Sequence, residues 1–71
     1  MWPKETNGAY CDGSHEYSYV SNQRECQDLC MAKTTCVGIS YIRTNCRTCY
    51  DDRLSGHAHY DFYRRPGKST F

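Results

Sequence analysis

Seventy-one residues with a formal net charge of +1 make one small domain, and a chain this short removes only about 60% of its unfolded surface from water. Burial alone leaves little margin, and six cysteines are the means at hand, since a native disulfide contributes about 2–4 kcal/mol by restricting the unfolded chain. The near-zero charge gives no argument for nucleic acid or an anionic membrane as partner, and no apolar run nears the length of a membrane span.

In chain order, residues 1–8 are polar, carry Pro3 and Gly8, and read as a flexible leader. They contain no apolar stretch of the kind a secretory signal needs, so the sequence reads as a mature protein or as one domain of a larger one. Tyr10-Cys11 begins the folded module, expected over 9–66. Asp12-Gly13-Ser14 is turn chemistry, and Tyr17-Ser18-Tyr19-Val20 alternates as a short strand with both tyrosines on one face.

Asn22 to Lys33 reads as an amphipathic helix. Asn22 can accept from an early backbone N–H while Glu25 reaches back. Cys26 and Cys30, four apart, share an inward face with Leu29 beside them. Lys33 then suits the carbonyl end of the helix dipole. From Cys36 to Arg43 the chain alternates as a buried strand, with Val37, Ile39 and Tyr41 on one side. Thr44-Asn45 is the expected tight turn, Cys46 to Asp51 returns antiparallel, and 52–58 with Ser55-Gly56 reads as a loop. Tyr60 to Arg64 is the last strand, and Pro66-Gly67 ends it before a tail over 67–71. The fold class is therefore α+β: one helix on a twisted antiparallel sheet of about three to five strands. Its expected core is Leu29, Val37, Ile39, Tyr41 and Phe62 among the cystines.

Six cysteines allow 15 pairings, and spacing does not choose among them. Disulfides place the chain in an extracellular, secreted or cell-surface setting. Cys46-x2-Cys49 followed by His57-x-His59 offers ligand types for tetrahedral zinc. However, the histidine spacing is not the usual one, and the other four cysteines still require an oxidising compartment. Cys46-Arg47-Thr48-Cys49 lacks the strand-to-helix setting of a redox motif. No metal or cofactor is expected.

The run C-x3-C-x5-C-V-G-I-S-Y, after a Ser-Asn-x-x-Glu helix start and before a further cysteine strand, resembles the core of the PAN/apple superfamily over about residues 10–64. That resemblance implies a helix tied by two disulfides to a small antiparallel sheet. It implies Cys30–Cys36, and Cys26 bridged to Cys46 or Cys49. In that family the first cysteine pairs near the C-terminus; here none follows Cys49, so Cys11 takes whichever of the two remains, and Cys26–Cys46 with Cys11–Cys49 is the favoured pair. It further implies protein–protein or protein–carbohydrate adhesion.

No nucleophile–base motif surrounds His15, His57 or His59, the Asp51-Asp52 pair reads as a solvated turn, and so small a domain offers little room for a closed pocket. The chain is therefore not expected to be an enzyme. Its seven tyrosines exceed what the core can enclose, and its cations concentrate late: residues 1–35 hold three against five acidic side chains, residues 36–71 six against three. Tyrosine and arginine are the types enriched at binding hot spots. Arg43, Arg47, Tyr50, Tyr63, Arg64 and Arg65 are accordingly the expected ligand contacts, for an extracellular protein or a glycan, including a sulfated one. Self-association through the surplus tyrosines is also open. The alternative is a free-standing secreted effector such as a toxin, protease inhibitor or antimicrobial peptide.

Overall fold

The computed structural model describes residues 2, 4–51 and 53–66, with backbone alone at 5–7, 57 and 58. Its elements follow as β1 (Lys4–Cys11), β2 (His15–Tyr19), α1 (Gln23–Met31), β3 (Gly38–Ile42), β4 (Asn45–Cys49) and β5 (Leu54–Arg64). The strands pair antiparallel in the order β1-β5-β3-β4-β2, and α1 packs across β3 and β4, the α+β arrangement expected.

The helix starts as its sequence requires. Glu25 N–H donates to Asn22 Oδ1 at 2.9 Å, and Glu25 Oε1 reaches back to accept from Ser21 N–H at 2.7 Å, so each side chain satisfies a backbone donor at the entry. It ends at Met31 with Ala32 as C-cap, earlier than Lys33. The cation at its carbonyl end is Arg65, whose Nη1 donates to the carbonyls of Cys30 (3.3 Å), Lys33 (2.7 Å) and Cys36 (3.2 Å). Leu29 is 40% exposed and leaves the expected core. At about 100° per residue, Cys26, Gln27 and Cys30 define the inward direction, with all three buried, and Leu29 falls on the flank of that arc.

Residues opposite one another on paired strands share a sheet face. Ile39 faces Thr48 and Tyr63, and Tyr41 faces Cys46; this face meets the helix in a cluster of Val20, Cys26, Cys30, Cys36, Ile39 and Cys46, with Trp2, Tyr41, Tyr50 and Tyr63 packed against it. Ser40 faces Arg47 and Phe62, and Arg47 faces Tyr17; this second face centres on Cys11, Cys49 and Phe62, with Val37 and Leu54 at its margin. Val37 precedes β3 and does not continue the alternation of Ile39 and Tyr41. Gly38 is needed where β3 passes β5, because a Cβ there would lie 2.6 Å from Phe62 Cζ and 2.7 Å from the Tyr63 carbonyl oxygen.

Three expectations about the backbone change. Residues 4–8 belong to β1 and pair with β5, where the sequence reads as a leader. β5 begins at Leu54 and takes up most of the expected 52–58 loop. The β3–β4 turn is Arg43-Thr44, between the Ile42–Asn45 pair and one residue before the expected Thr44-Asn45, and Arg43 takes a left-handed φ of 53°. The tail over 67–71 lies outside the described residues.

The β1–β5 ribbon carries an irregularity that shapes the second face. Its register passes from Asn7–Asp61 to Ala9–Gly56, so residues 57–60 of β5 stand against Gly8 alone. Gly8 takes φ 64° there and donates its N–H to Asp61 Oδ1 at 3.1 Å, a bulge geometry suited to glycine. Past it the ribbon brings Cys11 to Cys49, with Cα atoms 5.9 Å apart, although β1 and β4 are not neighbours in the sheet. Cys26–Cys46 and Cys30–Cys36 close the helix side, with Cα separations of 5.6 and 5.3 Å. These are the three pairs favoured on the resemblance.

Candidate functional site

The six arginines and tyrosines expected to share a binding surface divide between the two faces. Tyr50 and Tyr63 pack on the helix side. The Tyr50 hydroxyl donates to Glu16 Oε1 at 2.7 Å, and burial raises its pKa. Lys4 Nζ stands 5.9 Å from the Tyr63 ring centre and 3.1 Å from Asp61 Oδ2. Arg65 is committed to the end of α1. Arg64 lies against Phe62, 5.4 Å from its ring centre. Of the six, Arg47 lies against the exposed ring of Tyr17, and Arg43 lines a cleft beside Tyr60.

The Tyr17 ring belongs to the face opposite the helix. Tyr17 and Tyr19, two apart on β2, project the same way, as their alternation predicts. Their rings meet edge to face at 5.5 Å, and they are 46% and 78% exposed. Beside them Tyr10 and Tyr60 pack with ring centres 5.9 Å apart. Next to Tyr60 a cleft of about 390 Å³ opens, lined by Ile42, Arg43, Asn45 and His59 as well. Asn45 joins the two parts, because its Oδ1 accepts from the Tyr17 hydroxyl at 2.8 Å. Burial, with the neighbouring Tyr60 and Tyr19 hydroxyls adding to it, raises the Tyr17 pKa, so the phenol stays protonated and able to donate.

Arg47 is the centre of this face. Its guanidinium carbon lies 4.6 Å from the Tyr10 ring centre, 5.5 Å from Tyr60 and 5.7 Å from Tyr17, within the range of cation–π attraction. Its Nη1 donates to the Cys11 carbonyl at 3.4 Å and to His15 Nε2 at 3.0 Å. Nε is buried with no hydrogen-bond partner. Among the described residues no carboxylate forms an ion pair with it, so ring faces and neutral acceptors surround the charge.

Tyr10, Tyr17, Tyr19, Asn45, His59 and Tyr60, which make up this face and its cleft, are not among the contacts expected from the sequence. The signal for Tyr17 and Tyr19 was present in the Tyr17-x-Tyr19 alternation, which puts two aromatic rings on one side of a strand. No local pattern announces the rest, since Tyr10 and Tyr60 meet only through the β1–β5 ribbon. The cysteines in the zinc reading lie three apart on β4 and thus on opposite faces. Cys46 is bridged to Cys26 and Cys49 to Cys11. The His57 side chain lies outside the described residues.

Compared with known protein families, curated proteins and solved structures, the chain matches none.

Proposed function

We propose that this chain is an extracellular recognition module that acts by binding, without catalysis, and that its ligand is a glycan held on the Tyr17–Tyr19 face and the adjoining cleft. The observation that carries the reading is the exposed edge-to-face tyrosine pair beside a cleft whose polar members are Arg43, Asn45 and His59. Aromatic faces suit the C–H faces of sugar rings, and an amide, an imidazole and a guanidinium supply directional contacts for hydroxyl, carboxylate or sulfate oxygens. Three disulfides in so small a domain support the extracellular setting. A helix tied by Cys26–Cys46 and Cys30–Cys36 to an antiparallel sheet is also what resemblance to PAN/apple modules implies, which supports adhesion by analogy.

The test is a glycan array probed with the oxidised chain, beside a panel of extracellular proteins. Binding to a defined glycan, reduced at least about tenfold by Tyr19→Ala or Arg43→Ala, equivalent to about 1.4 kcal/mol, is the expected result. If the ligand is sulfated or carboxylated, binding also weakens with added salt. Protein binding unaffected by either substitution would remove this face as the site.

A further inference from the structure

Arg47 and His15 form a pair whose hydrogen-bond directions define the protonation state of the imidazole. His15 Nδ1 lies 2.8 Å from the Gly13 carbonyl oxygen. A carbonyl only accepts, so Nδ1 carries the hydrogen. Arg47 Nη1 only donates, and it approaches His15 Nε2 at 3.0 Å, so Nε2 presents its lone pair. The arrangement requires neutral His15 in the Nδ1–H form.

Protonation would place a second N–H on the line between His15 and Arg47. Two donors would then face each other at the 3.0 Å separation, each belonging to a cation. The groups around the pair come from every neighbouring element: Tyr10 of β1, Tyr17 of β2, Arg47 of β4, Asp51 just after β4 and Tyr60 of β5. Glu16, next in sequence, turns to the opposite face and accepts from Tyr50. Among the described residues Asp51 is an anion placed to attract a charged His15, with the Arg53 cation also acting on it. Hydrogen bonds from Ser14 and Arg53 N–H hold its pKa below the ordinary carboxylate value, which keeps it ionised in mild acid. One position of His15 favours Arg47, and its protonated form favours Asp51.

We propose that Arg47 is a positioning residue of the recognition face, an internal cation that holds Tyr10, Tyr17 and Tyr60 in register, and that neutral His15 latches it there. The proposal rests on the Tyr17–Tyr19 face being the binding face, and gives it a sensitivity to pH. Acid unlatches Arg47, and the tyrosine rings rearrange.

The experiment follows the tyrosine ring and Arg47 side-chain resonances of the full oxidised chain by NMR from about pH 8 to about pH 5, the range in which histidines change charge. The same titration is run on His15→Gln and His59→Gln. The expected result is that Tyr10, Tyr17, Tyr60 and Arg47 shift with the midpoint of the His15 imidazole, that His15→Gln abolishes these shifts, and that His59→Gln keeps them. Rings that stay still through the His15 transition, or that move equally in His15→Gln, overturn the proposal. A second measurement uses Arg47→Ala with millimolar ethylguanidinium as probe. Return of the ring resonances toward their parent positions is expected, and no response in a folded variant counts against the cage. Rings that track His15 on a chain that binds no glycan sink the functional reading and leave the latch standing; glycan binding with motionless rings does the reverse.

Discussion

On the helix side of the sheet, two disulfides, a buried aliphatic cluster flanked by half-buried aromatic rings, and the hydrogen bonds of Arg65 hold the parts together. On the other side, Tyr17 and Tyr19 stand exposed, and the rings of Tyr10, Tyr17 and Tyr60 meet a guanidinium in place of a carboxylate. The first face is covered by the helix, whereas the second combines a buried cluster of Cys11, Cys49 and Phe62 with an exposed tyrosine pair. The contrast indicates where substitutions should change stability and where, on the proposed reading, they should change recognition. An exposed ring has little folded-state burial to lose, whereas a cystine restrains the whole unfolded chain.

On the helix side the comparison can be broken most severely at Cys26–Cys46, whose partners are 20 residues apart against 6 for Cys30–Cys36. Replacing both by alanine is expected to cost about 2–5 kcal/mol, read from denaturant unfolding of the purified variant; a loss under about 1 kcal/mol would mean that the helix side does not depend on its staple. Arg65→Ala comes next. It leaves the carbonyls of Cys30, Lys33 and Cys36 without their charged donor, and a loss of roughly 1.5–3 kcal/mol is expected, with faster hydrogen exchange over residues 30–36 as the local sign.

A smaller effect is expected from acid. Asp51 has a folded pKa below its ordinary value because Ser14 and Arg53 N–H donate to it. Its contribution is therefore fully present above the unfolded carboxylate pKa and lost as pH falls through the lower folded one. Unfolding midpoints measured through that acid window should fall less steeply in Asp51→Asn than in the parent; identical slopes would show that those hydrogen bonds are absent in solution. The smallest expected change is Tyr19→Ala. At 78% exposure it should alter stability by less than about 0.5 kcal/mol while impairing binding. A larger thermal shift would make Tyr19 structural and erase the distinction between the faces.

Much of the fold could be read from single residues because their reasons are local. Asn22 and Glu25 mark a helix entry wherever they occur at that spacing, and the Cys26–Cys30 repeat names an inward face without reference to the rest of the chain. The proposed binding face was legible only in part. Tyr17-x-Tyr19 declared two rings on one side of a strand, but Arg65, expected at a ligand, serves the helix end 29–35 residues away. Lys33, closer in sequence, was the natural choice for that task. The leader reading of residues 4–8 failed for a related reason: their composition is polar, and only pairing with β5 makes them strand.

The amino-acid sequence by itself determined a small, stapled α+β domain, because six cysteines, a capped amphipathic segment and alternating strands act through short-range geometry and composition. Tertiary structure alone decided that Arg47 would lie among Tyr10, Tyr17 and Tyr60 with His15 as its acceptor. Those residues come from four strands, and their meeting depends on the sheet order and on the bulge at Gly8, neither of which a local pattern encodes.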